Sequence, residues 1–112
     1  MDPSHARELL ARERARIERE LGDLSRRESD DVLDPFEAGD AAAEMVDAEL
    51  GEALAEGLGE ELEAIERAEE RLVQGTYGLS VESGGPIPDA RLEAMPWAER
   101  TTEEQARYER EL

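Results

Sequence analysis

The sequence predicts a mainly α-helical protein, built as an antiparallel helical hairpin (a coiled coil) with a small globular head and a short C-terminal helix. Two long stretches have apolar side chains at helical spacing, and each begins with a helix-capping signal. The stretch that follows them is rich in Gly and Pro and holds further large apolar residues. Because the chain has 112 residues, of which 39% are charged and 4% aromatic, we expect one small core.

The chain is strongly acidic, with 31 Asp and Glu residues against 13 basic residues and a formal net charge of -18. All the basic residues are Arg. Such a surface repels nucleic acid and anionic membranes, so we expect a protein partner and no direct binding to either. The sequence shows no signal peptide or membrane span, and the absence of cysteine excludes disulfides. We expect a soluble, cytoplasmic monomer.

The first predicted helix covers residues 3–28. Asp2 can act as its N-cap, and Pro3 is suited to the first helical position. Charged residues four positions apart, such as Glu8 and Arg12, favour a helix that faces solvent on most sides. One narrow apolar stripe remains for packing: Leu10, Ile17, Leu21 and Leu24.

The second predicted helix begins at Pro35 and ends at about Gln74. Asp34 is its N-cap, Glu37 completes a capping box, and Gly75 is a natural stop. Its apolar stripe runs along the whole helix: Met45, Leu50, Leu54, Leu58, Leu62, Ile65 and Leu72. Three glycines weaken its middle by about 1 kcal/mol each relative to Ala. They favour a bend or the close approach of another helix: Gly51, Gly57 and Gly59.

Two apolar stripes joined by a short acidic segment predict a hairpin over residues 1–74, with an acidic tip near 29–42. Because the first helix is the shorter one, we expect the second helix to lack a partner in it beyond Glu61. Four apolar residues there then need cover from elsewhere: Leu62, Ile65, Leu72 and Val73. The predicted head, residues 75–112, offers that cover: Tyr77, Leu79, Val81, Ile87, Leu92, Met95 and Trp97.

Residues 75–109 contain the segments "GTYG", "GGPIPDARLEAMPWAER" and "QARYE". These segments resemble, in this order, the sequence before the first cysteine pair, between the pairs and after the second pair in the C4 zinc-finger end of the DksA/TraR family of transcription factors. The four cysteines of the family fall, without a gap, on Ser80, Ser83, Thr101 and Glu104. The resemblance implies a helical hairpin with a zinc-ribbon-derived head.

All four zinc-ligand positions have lost their cysteine. A structural zinc site needs four strong ligands, and hydroxyl groups are poor ones at neutral pH. Glu104, even with His5 recruited, leaves too few, so we predict no metal and no cofactor. Thr101 and Glu104 match a capping box that starts the last helix, residues 102–112, and the hydroxyls of Ser80 and Ser83 can close a turn. The alternative is that all four side chains are solvated surface.

The family inserts its hairpin into the secondary channel of RNA polymerase, with acidic tip residues near the catalytic centre. The family's tip pattern is D-x-x-D-x-A, and Glu37, Asp40 and Ala42 match it with Glu in place of the first Asp. The resemblance therefore implies that these residues contact the polymerase. Asp34 adds charge, and Phe36 is an aromatic residue at an exposed tip, which fits a contact. A simpler explanation stays open, since the helix dipole alone favours acids in a first turn by about 0.3–1 kcal/mol each.

The resemblance implies a regulator of transcription initiation that is not an enzyme, and no catalytic triad or phosphate-binding loop argues otherwise. Two alternatives stay open. One is a Gre-like factor that affects transcript cleavage at the polymerase active centre, and the other is a plain helical-hairpin interaction module. In the family, basic residues help to bind the alarmone ppGpp, but the matching positions here are Ala64, Met95 and Gln105. We therefore expect no response to ppGpp through that site.

Overall fold

The computed structural model describes the backbone of residues 1–32 and 41–112, and the side chains of residues 1–26 and 48–112. The described residues form four helices: α1 (Pro3–Val32), α2 (Ala41–Gln74), α3 (Asp89–Ala94) and α4 (Thr102–Glu111). α1 and α2 run antiparallel as a hairpin, and the two short helices belong to the head at its base. None of the described helices is long and apolar enough to cross a membrane.

α1 begins where its capping signal predicts. The backbone N–H of His5 donates to the Asp2 carboxylate at 3.1 Å, and that of Ala6 donates to the Asp2 carbonyl at 3.0 Å. The helix ends at Val32 rather than at residue 28. The predicted end was wrong because an acidic run is not a helix stop, and the sequence has neither Gly nor Pro between residue 28 and Pro35.

α2 ends at Gln74, as predicted. Gly75 has φ +78°, a left-handed conformation that suits glycine, and the N–H of Thr76 donates to the Arg71 carbonyl at 2.9 Å. The helix start predicted at Asp34 and Pro35 lies outside the described residues. The three mid-helix glycines do not serve the close approach of another helix, because a Cβ at any of them would meet nothing within 4 Å: Gly51, Gly57 and Gly59. The alternative role, a bend in α2, stays a prediction.

The core of the hairpin corrects the expected pairing of its helices. α1 covers α2 well beyond Glu61, since Arg14 forms ion pairs with Glu66 and Glu69. α1 and α2 have 30 and 34 residues and are nearly matched in length. Two residues of the predicted apolar stripe of α2 are nevertheless exposed, Leu50 at 57% and Leu54 at 50%. The innermost side chains come from both helices: Leu10, Ile17, Ile65 and Ala68. Further apolar residues surround them: Leu21, Leu58, Leu62 and Leu72.

The head adds its own apolar cluster below the hairpin. Ile87, Leu92 and Ala98 are buried there, with Met1 and Tyr77 packed against them. Tyr77 and Trp97 also pack on the hairpin core, so the head does help to cover α2. This part of the prediction is confirmed for these two aromatic residues, and the reading of Trp97 as a packing residue holds.

Some apolar residues of the predicted contact between α2 and the head are exposed instead. Val73 is 82% exposed, because it lies on the outer face of α2. Leu79 is 41% and Val81 50% exposed, and they flank the buried Ser80 at the start of a turn. Met95 follows the last turn of α3 and is exposed as well.

The N-terminus of the chain is tied to the head by polar contacts. The terminal ammonium of Met1 donates to the Asp89 carboxylate at 3.1 Å. One turn later, the His5 ring lies 2.6 Å from the Glu93 carboxylate. Both partners belong to α3, so the start of α1 is fixed against the head and the hairpin has a defined base.

Candidate functional site

The polymerase-contacting tip is predicted at the end of the hairpin that is opposite the head. α1 ends at Val32 and α2 begins at Ala41. The 34 residues of α2 separate this end from the head by about 50 Å at 1.5 Å per residue. Ala42 is in the first turn of α2, but its side chain is outside the description. The other predicted contact residues lie outside the described residues altogether: Asp34, Phe36, Glu37 and Asp40.

The first two zinc-ligand positions lie in a tight turn of residues 79–86. The N–H of Ser80 donates to the Gly85 carbonyl at 2.8 Å, and the N–H of Gly84 donates back to the Ser80 carbonyl at 2.9 Å. Gly84 has φ +73°, which a residue with a side chain rarely adopts. An isolated antiparallel bridge between Leu79 and Pro86 closes the base of the turn.

The serine side chains hold the inside of this turn, as predicted. Ser80 Oγ accepts hydrogen bonds from the N–H groups of Glu82 and Ser83, at 3.1 and 3.2 Å. Ser83 Oγ accepts from the N–H of Gly85 at 3.2 Å. Ser80 is buried, at 5% exposure, so its hydroxyl is part of the structure rather than solvated surface.

The second pair of zinc-ligand positions forms the predicted capping box at the start of α4. Thr101 is the N-cap, and its Oγ1 accepts from the N–H of Glu104 at 3.2 Å. In return, Glu104 Oε1 accepts from the N–H of Thr101 at 2.9 Å. Glu104 is also buried, at 5% exposure, whereas its neighbour Glu103 is exposed.

The two pairs meet at the Glu104 carboxylate. Its hydrogen bond from the Thr101 N–H, followed by hydrogen bonds from the side chains of Ser80 and Ser83, lowers the pKa of Glu104 from 4.5 to about 2. The carboxylate is therefore ionised over the whole physiological pH range. The four positions inherited from the zinc site thus form one polar cluster around Glu104, with hydrogen bonds inside each pair.

This cluster does not fit a zinc ion. Metal binding would need free lone pairs directed at one point, but the Ser80 and Thr101 oxygens already accept backbone N–H groups. Among the residues with described side chains, no three His, Cys, Asp or Glu residues lie together in a way that could hold a metal ion. His5, which the sequence offers as an additional zinc ligand, contacts Glu93 instead.

A second polar contact in the head has no counterpart in the sequence prediction. Arg67 donates to Glu99 Oε1 from Nη2 at 2.7 Å and from Nε at 3.1 Å, and Arg71 Nη1 lies 3.6 Å from Glu99 Oε2. Burial lowers the pKa of Arg71, and Glu99 opposes that effect. The Glu99 carbonyl also accepts from the N–H of Val81 at 2.9 Å. Glu99 therefore joins α2, the serine turn and the segment before α4.

The three positions matched to the family's ppGpp site offer no cation. Ala64 is buried in α2, and Met95 is exposed after α3. The Gln105 side chain donates to Glu109 at 3.1 Å. None of these three positions holds a basic residue, so the lack of a ppGpp response through this site stays a prediction.

Fold and site together define the class: a helical-hairpin protein with a head derived from a C4 zinc finger. A family model described as the prokaryotic dksA/traR C4-type zinc finger matches residues 75–110. The structure of transcription factor DksA2 from Pseudomonas aeruginosa is similar to the whole chain, with 34% sequence identity and a TM-score of 0.75 over 97% of this chain and 84% of that one. The chain belongs to the DksA/TraR family.

Two curated relatives are similar in sequence to part of this chain. General stress protein 16O of Bacillus subtilis (strain 168) is 45% identical over 51 residues, which are 46% of this chain and 31% of that protein. The RNA polymerase-binding transcription factor DksA of Caulobacter vibrioides is 48% identical over 46 residues, which are 41% of this chain and 32% of that protein. The matches thus span about a third of the length of these relatives.

Proposed function

We propose that this chain is a transcription regulator that binds RNA polymerase, inserts its hairpin into the secondary channel and modulates initiation without zinc. The observation that carries the proposal is the similarity of nearly the whole chain, at 34% identity, to a solved transcription factor. One relative is also named for binding RNA polymerase. The protein acts as a bound regulator and not as an enzyme.

Apolar contacts and ion pairs hold the two helices of the hairpin together. Ile17 and Ile65 are fully buried between α1 and α2. Arg14 and Arg16 of α1 add ion pairs to acidic residues of α2, including one between Arg16 and Glu61 at 3.4 Å. Exposed ion pairs contribute about 0–1 kcal/mol each, so the apolar contacts supply most of the stability and the ion pairs favour one alignment of the helices.

The distribution of charge agrees with a site inside a protein channel. A chain of net charge -18 gains nothing from nucleic acid, so its affinity for a transcription complex has to come from the polymerase itself. Carboxylates at a tip about 50 Å from the head can approach a Mg²⁺-containing centre while the head stays outside. Binding then rests on the rod and the head, and activity on the tip.

The test compares two substitutions that remove one negative charge each. Asp40→Asn changes the tip, and Glu60→Gln changes an exposed residue farther down α2. With the polymerase of the organism that encodes this chain, Asp40→Asn should abolish the effect on the lifetime of promoter complexes and still compete with the parent protein for binding. Glu60→Gln should behave like the parent. If both variants act like the parent, or if the parent does not bind this polymerase, the proposal fails.

Independence from zinc has its own test. A zinc site contributes on the order of 10–16 kcal/mol to the folding of small zinc-finger peptides, so a head that needed the metal would unfold under strong chelation. We expect the same melting temperature with and without a chelator, and no zinc by elemental analysis of the purified protein. Stoichiometric zinc, or a clear drop in melting temperature with chelator, would contradict this part of the proposal.

A further inference from the structure

We propose that the Glu104 carboxylate takes over the structural task of the metal ion, as the central acceptor to which both halves of the zinc-finger-derived head are hydrogen-bonded. In a C4 zinc finger, anionic sulfurs surround a central cation. Here an anion is central, and hydrogen-bond donors surround it. This inference concerns how the head is held together and does not depend on which partner the protein binds.

The hydroxyl of Ser80 is the clearest evidence for this reversal of polarity. A serine hydroxyl has two lone pairs and one proton to share. Both acceptor sites of Ser80 Oγ are used by the backbone N–H groups of Glu82 and Ser83. Its proton is left to donate. The Val81 N–H donates to the Glu99 carbonyl at 2.9 Å, which brings Ser80 beside the segment before α4, so the acceptor proposed for this proton is the buried Glu104 carboxylate. Ser80 therefore holds its own turn with its lone pairs and the start of α4 with its proton.

The other two positions direct donors to the same carboxylate. Ser83 accepts from the Gly85 N–H at 3.2 Å and keeps its own hydroxyl proton to donate to Glu104, whose pKa it lowers. From the other half of the head, the Thr101 N–H donates to Glu104 Oε1 at 2.9 Å. A carboxylate offers about four acceptor sites, so it can accept from all three donors.

Burial distinguishes this arrangement from a surface cluster. Ser80 and Glu104 are both 5% exposed, and they are the buried polar residues among the side chains that the structure describes. A buried carboxylate without partners is strongly destabilising, whereas one that accepts several hydrogen bonds can lock its surroundings. The four positions have thus kept their common centre while the chemistry at that centre has changed from coordination to hydrogen bonding.

The first experiment measures unfolding of Glu104→Gln and of Glu103→Gln, which removes the same charge from an exposed neighbour in the same helical turn. Glu104→Gln should raise the unfolding equilibrium constant about tenfold or more, because a hydrogen bond to a charged acceptor is stronger than one to a neutral acceptor. Glu103→Gln loses only its interaction with the helix dipole and should raise it about twofold. Equal effects would overturn the proposal.

A double-mutant cycle then asks whether the two halves of the head act on one carboxylate. Ser80→Ala should raise the unfolding equilibrium constant at least about threefold more in the parent than in the Glu104→Gln protein, because the Glu104→Gln protein no longer has a charged acceptor for the Ser80 hydroxyl. If the two effects are independent, Glu104 serves only the capping box and the proposal is wrong.

A third measurement tests the common centre directly. The variant that combines Ser80→Cys, Ser83→Cys, Thr101→Cys and Glu104→Cys should bind one Co²⁺ with the visible absorption of a tetrahedral thiolate site. The parent should show no such spectrum. A four-cysteine protein that keeps its helical circular dichroism but does not bind Co²⁺ would show that the four side chains do not converge, and the proposal would fall.

Discussion

Replacing Thr101 by alanine tests the capping box of α4 in isolation. The substitution removes Oγ1, which accepts from the N–H of Glu104 at 3.2 Å, and leaves the backbone of the N-cap residue in place. That N–H is one of the four at a helix start that have no partner within the helix. Because Glu104 is buried, water replaces the lost acceptor poorly.

The expected loss of stability is about 1 kcal/mol, at most about 2, which is the range found for N-cap Thr or Ser replaced by Ala. Thr102 provides the control. Its Oγ1 accepts only a 3.3 Å hydrogen bond from Arg91 in an exposed setting, and Ala is the better helix former at this position. Thr102→Ala should therefore change the free energy of unfolding by less than about 0.5 kcal/mol in either direction.

Urea unfolding followed by fluorescence suits this comparison, because Trp97 is the single tryptophan and lies in the head. With a urea dependence of about 1–3 kcal/mol per molar, Thr101→Ala should move the midpoint down by about 0.3–1 M. Circular dichroism should give the same midpoint if the hairpin and head unfold together. Thr101→Ser should restore most of the loss. If Thr101→Ala and Thr102→Ala shift the midpoint equally, the capping box does not stabilise the head as described.

Two further predictions concern the hairpin core and the pH dependence of the head. Ile65→Ala removes a fully buried side chain and should lower the free energy of unfolding in urea by about 2–5 kcal/mol. Val73 is 82% exposed, so Val73→Ala should lower it by less than about 0.5 kcal/mol. Similar losses for the two variants would refute the assigned core. Hydrogen bonds lower the pKa of Glu104 to about 2, so its carboxylate stabilises the fold fully above about pH 4.5 and loses this effect as the pH falls towards 2. The stability difference between the parent and Glu104→Gln should therefore be constant near neutral pH and shrink below about pH 4.5, and a difference that grows on acidification would contradict the assignment.

Local signals in the sequence were sufficient for the helix caps that lie in the described residues. Asp2 with Pro3, Gly75, and the spacing of Thr101 and Glu104 each specify their structure within a few residues, because a cap is satisfied by neighbouring backbone groups. The end of α1 at Val32 was predicted wrongly because the sequence has no local stop signal there. The acidic run was interpreted as a stop signal.

Contacts between distant segments could not be read in the same way. In a chain with 31 acidic residues, nothing nearby in sequence selects Glu99 as the partner of Arg67. The capping-box spacing predicted that Glu104 binds Thr101, but the hydrogen bonds from Ser80 and Ser83 depend on two turns that meet only in the folded head. The family resemblance indicated that the four positions belong together, and the structure supplies the physical reason.

The central claim is that the hairpin tip reaches the catalytic centre of RNA polymerase while the head stays outside, and a positioned cleavage reagent tests it most directly. Because the chain has no cysteine, Ala43→Cys supplies a single thiol in the first turn of α2, and Ala90→Cys supplies one on an exposed position of α3. An iron chelate attached to either thiol cuts the polypeptide around it when hydroxyl radicals are generated. With the polymerase bound, the account predicts that the Ala43→Cys protein cuts polymerase segments around the catalytic Mg²⁺ and that the Ala90→Cys protein cuts only segments at the channel entrance. Identical cutting patterns for the two proteins, or no cutting of the polymerase by either, would contradict it.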